Sequence, residues 1–431
     1  LEGISLGELE SAVKADSLKI AGRILQQKLN TDNSDYRGPS LPCQCGGTAR
    51  YVGRRPKNVT SVLGDLILER AYYHCSTCGT GFSPRDRALG LDQGSLSPGV
   101  TRMVALVGAN TSFEDGAHLL AELAGVSIDA KLVERTAERI GEAVARDEIL
   151  HAEPVSITGR VMYVGVDGTG IPMRREELLE RPGKQPDGSA KTREVKVCTV
   201  WETDAANSEN AQPRKLGSTS YTAAIESAAW NEVHPEYTPP FAQRVERELN
   251  RRGFFQAETQ VFIGDGARWV WNLAEMIAPG AIQIVDLYHA KEHLSALGSL
   301  LFSPGTDLAR KWSADRHLEL EIGNLDAVLN AIGQFSNLPG DKGAAARREQ
   351  DYFVANRHRM DYARFRSMGL SVGSGVLEAG CRVVVGQRLK RSGMFWSVRG
   401  ANQILALRSS MLSGTFDAFW NRYITARRSI A

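Results

Sequence analysis

Apolar positions recur at near-helical spacing through LESAVKADSLKIAGRILQQKL, which predicts an amphipathic helical lead ending in the polar, Gly/Pro-containing linker NTDNSDYRGPS. The pattern then changes. VTSVLGDLILERAYYHCSTCG at 59–79 reads as two β segments around Gly64-Asp65 that feed a Cys-x-x-Cys turn. Residues 98–150 return to helical spacing: one helix to about Ala124, a Gly125-Val-Ser turn, and a second helix from about Asp129 with Ser127 as its N-terminal signal. From about 160 the runs are β-branched, in VMYVGVD (161–167), REVKVCTVW (193–201), QVFIGDGA (260–267) and AIQIVDLYH (281–289). LAEMI between the last two completes a βαβ unit, so the expectation is a mixed sheet with helices on both faces. Helical spacing resumes over 290–370, broken at Pro304-Gly305 and Pro339-Gly340.

The 431 residues exceed what one core usually supports and predict two to four domains. Hydrophobic content of 42% and charge of 24% are those of an ordinary soluble protein, and no apolar run reaches the roughly 20 residues that span a bilayer. No basic n-region with an apolar h-region opens the chain, and Leu1 is not an initiator methionine, so this end reads as processed or truncated. A cytoplasmic location is the expectation. The net charge of +2 hides an uneven distribution. After Glu378 come Arg382, Arg388, Lys390, Arg391, Arg399, Arg408, Arg422, Arg427 and Arg428 against the single acid Asp417, with Phe395, Trp396, Phe419, Trp420 and Tyr423 among them. That mixture suits phosphates and stacked bases, or else a solvated helix face over an aromatic core.

Two kinds of metal chemistry are spelled out. Cys43, Cys45, Cys75 and Cys78 form two short-spaced pairs at the ends of a small β unit, which suits tetrahedral Zn²⁺ in a closed, structural site of the zinc-ribbon kind. The first pair is Cys-x-Cys, tighter than a usual knuckle, and His74 is a substitute ligand; unconnected cysteines or a redox pair are the other readings. Cys198 and Cys381 are isolated and read as buried apolar side chains. The αα unit around Gly125 has helix-turn-helix spacing, with Lys131, Arg135 and Arg139 on its second helix, although any helical hairpin looks similar.

The second kind rests on carboxylates. Asp167, Asp265 and Asp286 each read as ending a strand, and ligand sites in open α/β sheets gather at carboxyl ends of strands. Asp167 and Asp265 are each followed by glycine, which permits close approach of a ligand, or merely marks a common turn. Glu378 follows a Gly/Ser-rich entry, with Arg382 and Val385 on its face if the segment is helical, and would complete a pocket of hard oxygen ligands for Mg²⁺ or Mn²⁺. Lys184, Lys191, Arg193 and Lys196 lie between the first two strands, close to Asp167 if these pair as a hairpin. They serve as phosphate contacts or as a solvated loop. Trp269 and Trp271, after Asp265, stack on an unpaired base or pack in the core.

The set YVGVDGTG, KQPDGSAKTREVKV, FIGDGARWVWNLAE, IVDLYHAKEHL and VGSGVLEAGCRVVVGQRLKRSGMFWSVRGANQILALR resembles bacterial insertion-sequence transposases of the ISKra type. These are DDE transposases, distantly similar to the Mutator-like group. The resemblance covers most of the chain, including RAYYHCSTCGTGFSPRD ahead of the core. It implies a ribonuclease H-like catalytic core with Asp167, Asp265 and Glu378 as the catalytic triad, and Asp286 with His289 as the group's Asp-x-x-His signature in a supporting role. His289 would orient a carboxylate or touch DNA, or else be a buried structural histidine.

The implied organisation is an N-terminal helical segment (1–40), a zinc-ribbon-like unit (41–95) and a helix-turn-helix-like region (96–155). The ribonuclease H-like core follows (156–293), then a helical insertion (294–370) and the C-terminal part of the core with basic helices (371–431). Three carboxylates would hold two divalent ions and need no Ser or Cys nucleophile. Water would first free a 3′-OH at the element's end, and that hydroxyl would then attack target DNA. Arg388, Lys390 and Arg391 join the lysine-rich loop as expected DNA contacts. Double-stranded DNA is the expected partner and a homodimer or higher oligomer the expected assembly, in a bacterial cytoplasm at the nucleoid. The alternatives are a metal-dependent endonuclease without strand transfer and a non-catalytic zinc-ribbon and helix-turn-helix regulator.

Overall fold

The computed structural model describes residues 4–151, 161–203, 214–230, 233–234 and 237–429. The expected boundary at 155/156 lies outside them, as does the side chain of Arg428. In chain order the elements are α1 (Leu6–Thr31), β1 (Ser40–Pro42), β2 (Thr48–Ser61), β3 (Gly64–Cys75), β4 (Gly81–Phe82), α2 (Pro84–Ala88), α3 (Pro98–Asn110), α4 (Phe113–Ala124) and α5 (Ala130–Leu150). There follow β5 (Val161–Pro172), β6 (Thr192–Thr203), β7 (Ser220–Ala224), α6 (Pro240–Arg251), β8 (Thr259–Gly264), α7 (Arg268–Ile277) and β9 (Ile282–Val285). The remainder is helical: α8 (Leu287–Phe302), α9 (Asp307–Glu321), α10 (Leu325–Gly333), α11 (Asp341–Ala355), α12 (Tyr362–Ser367), α13 (Gly375–Gly380), α14 (Gln387–Leu389), α15 (Val398–Leu412) and α16 (Phe416–Ser429). The chain divides into two compact units, 1–144 with 415–431, and 145–414.

In the first unit, β1 to β4 make an antiparallel sheet in sequence order. β2 and β3 form a long hairpin that closes at Ser61 opposite Gly64. The helix α1 starts at a capping box in which Ser5 and Glu8 satisfy one another's backbone N–H groups. α4 ends at Gly125 in the left-handed conformation, as its sequence predicts. The next helix is capped by Asp129, whose Oδ1 accepts from Leu132 N at 2.7 Å, and not by Ser127. The aspartate lies directly ahead of the first helical turn, where the orphan N–H groups are. Leu96, Val100, Val104, Leu120, Val126 and Val133 form the core under these helices.

The C-terminal helix also departs from expectation, since 415–431 clusters with the first unit. Asp417 pairs with Arg102 at 2.6 Å and Arg427 with Asp92 at 2.6 Å. Phe416, Phe419, Trp420 and Tyr423 pack ring against ring. The aromatic tail is thus occupied with its own packing.

The second unit is a mixed α/β fold on a five-stranded sheet of order β7-β6-β5-β8-β9. β5, β6 and β7 are antiparallel in turn, while β8 runs parallel to β5 and β9 parallel to β8. β7 has no counterpart in the sequence reading, because its five residues, Ser-Tyr-Thr-Ala-Ala, lack an apolar run. β5 runs five residues past Asp167, which the pattern had placed at the strand's end. Gly168 and Gly170 stay extended, and the hairpin with β6 holds register from Val161↔Thr203 to Pro172↔Thr192. Pairing with β8, in contrast, stops at Gly165↔Ile263. Asp167 therefore sits just beyond the carboxyl edge of the parallel part of the sheet.

Both faces of the sheet are covered. On one, Ser220 bonds Glu248 of α6. On the other, which by strand alternation is the face of Asp167 and Gly165, α13 packs so closely that a Cβ on Gly380 would stand 2.6 Å from Thr199 Oγ1. One continuous core joins the sheet to α8–α11, through Leu294, Leu297, Leu320, Val328 and Ala346 among others.

Candidate functional site: an acidic cleft and a four-cysteine cluster

Asp167 is half-buried, with Oδ1 accepting from Gly168 N at 2.6 Å and Oδ2 accepting the Cys381 thiol at 3.2 Å. Burial raises its pKa above the ordinary range; the thiol and amide pull it back, the Asp265 charge pushes it up and His289 lowers it. Asp265 lies one residue past β8, and Oδ1 accepts from Ala267 N at 2.9 Å in the turn that starts α7. Gly266, next to it, has φ +94°, and a Cβ there would meet the Tyr352 ring at 2.6 Å. Asp265 and Asp167 thus face one another electrostatically from neighbouring parallel strands.

Glu378 is exposed on α13, one turn before Cys381, so the Cys381 thiol that touches Asp167 also feels the Glu378 charge. Burial first, then the Asp167 carboxylate, push this thiol's pKa well up. Cys381 is therefore a neutral donor inside the cleft rather than an isolated apolar side chain. Residues 381–386 form a π-helical turn, which shifts the phase of the helix. Glu378 and Arg382 stay exposed while Val385 is fully buried, so the three do not share the face that α-helical spacing predicted.

Asp286 is 2% exposed and caps α8, with Oδ1 accepting from His289 N at 2.6 Å and Oδ2 accepting from Ser374 N. With Leu287 N to Val372 O at 2.9 Å and Ser371 N to Tyr163 Oη at 2.8 Å, it ties the approach to α13 onto the sheet. Its oxygens position the backbone that carries Glu378.

Three side chains absent from the sequence reading complete the cleft. Tyr352 donates to the Asp265 carbonyl at 2.8 Å and stacks on His293 at 4.1 Å. His293 faces His289 at 3.3 Å and Glu349 at 2.7 Å. The i, i+4 spacing of His289 and His293 was a legible signal; Glu349 and Tyr352 come from α11, some sixty residues on, and gave none.

The expected DNA contacts divide. Lys184 and Lys191 are exposed, and Lys390 is exposed with its ammonium on Thr169 Oγ1 in β5. Lys191 lines a cavity of about 540 Å³ with Arg174, Arg175 and the exposed ring of Phe395. Arg391 is exposed and donates to Gln387 O at 3.0 Å. Arg193 lies 3.8 Å from Glu177, and Lys196 bridges Glu194 at 2.7 Å with its ammonium 5.5 Å from the Trp269 ring. Arg388 is fully buried beside Trp396, and Trp271 is 5% exposed under Arg359. Neither of these two reaches a surface, because the helical turns that carry them face the core.

In the first unit, the Sγ atoms of Cys43, Cys45, Cys75 and Cys78 all lie within 4.8 Å of one another. Cys43 to Cys78 is 3.6 Å and Cys45 to Cys75 3.7 Å, far beyond a disulfide and near the roughly 3.8 Å edge of a tetrahedron with Zn–S of about 2.3 Å. Thr80, through hydroxyl and backbone, pulls Cys78 down to about 6. Backbone N–H groups of Cys78 and Thr77 lower Cys75. His74 is exposed and outside the set. This donor group is able to hold Zn²⁺. Among the described residues it is the one such group with all ligand atoms within 4.8 Å, so Asp167, Asp265 and Glu378 are less tightly drawn together.

No helix among the described residues is long and apolar enough to cross a membrane. No protein-family model matches the chain. Over 372 residues it is 21% identical to the UPF0236 protein in vanSb 3'region of Streptococcus gallolyticus, covering 84% of this chain and 74% of that protein. The two are distant homologues. The solved Drosophila P element transposase strand transfer complex overlays 80% of this chain and 86% of its own at 8% identity and a TM-score of 0.26, too slight an overlap to bear on mechanism.

Proposed function

We propose that this chain is a DDE-type DNA transposase with a ribonuclease H-like core, cutting element ends and joining them to target DNA. The observation that carries the reading is the sheet with its acids. Three antiparallel strands followed by two parallel ones, in the order β7-β6-β5-β8-β9, supply Asp167 from the central strand and Asp265 from the end of its parallel neighbour. Glu378 comes from a helix packed on the face from which Asp167 projects.

The donor set is all carboxylate, which fits Mg²⁺ or Mn²⁺. Bound there, such ions supply activation of the attacking oxygen and charge neutralisation at the leaving 3′ oxygen. The chain's own part is to fix where those oxygens stand. Asp167 is held by the Gly168 amide and the Cys381 thiol, Asp265 by the Ala267 amide, and Glu378 by the Asp286 cap beneath its helix. Lys184, Lys191, Lys390 and Arg391 are exposed for phosphates, which position DNA without reading its sequence. The four cysteines are proposed as a zinc ribbon that stabilises the first unit, whose α4–α5 hairpin is the proposed helix-turn-helix.

Incubation with a pre-cleaved element-end oligonucleotide and a target plasmid in Mg²⁺ tests this. Covalent joining is expected. Cleavage of an uncut end without joining would reduce the protein to an endonuclease, and binding without either would make it a regulator.

A further inference from the structure

α8 places His289 and His293 one turn apart, and their Nε2 atoms face each other at 3.3 Å. The His293 ring has a carboxylate hydrogen-bonded at its other nitrogen, whereas Glu292 stays beyond hydrogen-bond reach of His289. Glu349 Oε2 lies 2.7 Å from His293 Nδ1, and Glu292 Oε2 lies 3.6 Å from His289 Nδ1. The His293 ring is also clamped flat on Tyr352, with an interplanar angle of 8°. A carboxylate at Nδ1 holds the proton there and leaves the Nε2 lone pair bare. With the His293 lone pair aimed at His289 across 3.3 Å, the two Nε2 atoms either share the His289 proton or flank a cation. The separation matches the roughly 3.3 Å edge of a tetrahedral ion with Zn–N of about 2.0–2.1 Å. The four cysteines of the same chain show the same relation between donor spacing and ion size.

We infer that His289 and His293 form a second transition-metal site, for a borderline cation of the Zn²⁺ or Co²⁺ class. The two imidazoles are its protein ligands, and its other positions are open to water or to a phosphate oxygen. Glu349 is a positioning residue that fixes the tautomer and plane of His293. The site lies beside the acidic residues, since the Tyr352 ring that stacks on His293 also donates to the Asp265 carbonyl, yet its donors are imidazoles and prefer a softer ion than the carboxylates do. The inference does not depend on transposition, because its readout is metal uptake.

The full chain is first loaded with one equivalent of Zn²⁺, which the four thiolates take ahead of the two imidazoles. Co²⁺ is then titrated while its visible absorption and total bound metal are followed. The wild type is expected to take up one cobalt equivalent that His289→Ala and His293→Ala each lose, with zinc content unchanged. Glu349→Gln, which keeps the shape of the side chain, should retain the site with about 10–100-fold weaker affinity, the usual effect of removing an outer-shell partner. Uptake equal in amount and affinity in the wild type and both alanine variants would overturn the inference. So would a wild-type chain that takes up no cobalt, its two rings sharing a proton instead.

Discussion

The four-cysteine cluster and the acidic cleft are built in opposite ways. The cysteines come from the two ends of one hairpin, 43–45 and 75–78, and register alone brings them together: Ala49 pairs with Cys75, so both loops emerge at the same end of the sheet. Their sulfurs lie within 4.8 Å of one another. The acids Asp167, Asp265, Asp286 and Glu378 come from two strands, a helix cap and a helix that follows five intervening helices. Their carboxylates are held singly, each by a backbone amide, a thiol or a packed helix. Like charges repel, so a carboxylate set stays loose until a cation compensates it, whereas thiols shed protons as metal binds.

The largest effect expected from this contrast is on the first unit. Removing zinc with a strong chelator, or Cys75→Ser, should abolish its cooperative unfolding transition while leaving that of the second unit in place, as read by calorimetry. A single unchanged transition would show that the hairpin stands without metal.

Next come the acids. Asp167→Asn, Asp265→Asn and Glu378→Gln should each lower Mg²⁺-dependent cleavage by at least about 10²-fold, the usual scale for losing a preorganised electrostatic group, with melting temperature and DNA affinity preserved. Full activity in any one variant would remove that acid from the mechanism. The pH dependence has a definite sign. Burial and Asp265 hold the pKa of Asp167 above the ordinary carboxylate range, so the ionised form that binds a cation exists only above that raised value. Metal affinity should therefore fade, as pH drops, before an ordinary aspartate near 3.9 would protonate. Isothermal titration with Mn²⁺ across pH 4–7 reads this, and affinity held flat down to about 4 would contradict it.

A smaller effect tests how Glu378 is placed. A side chain on Gly380 would meet Thr199 Oγ1 at 2.6 Å. Gly380→Val should cost about 1–3 kcal/mol of stability in denaturant melts, as overpacking does, and lower cleavage more than DNA binding by displacing the helix of Glu378. Equal loss of both would place α13 outside the chemistry.

The smallest effect separates exposed from buried cations. Lys184→Ala and Lys191→Ala should each reduce the slope of log affinity against log salt by about 0.9, one phosphate contact apiece, while Arg388→Met leaves that slope unchanged because the guanidinium is fully buried. An altered slope for Arg388→Met would mean that this side chain reaches DNA after all.

Local pattern and spacing were enough for the hairpin of Cys43, Cys45, Cys75 and Cys78, the αα unit around Gly125, the β5–β6 pairing and the βαβ unit of β8 and β9. All of these follow from neighbours a few residues apart or from a strand's alternation. What the sequence left open depended on partners distant along the chain. The continuation of β5 past Asp167 is set by its register with β6. The burial of Arg388 and Val385 follows from a π turn that α-helical spacing does not anticipate. The presence of Tyr352 and Glu349 beside His293 and the acids is decided by how α11 packs on α8. Spacing specifies contacts that one element makes with itself or its neighbour; contacts between remote elements are fixed by which surfaces bury together, and only the folded chain settles that.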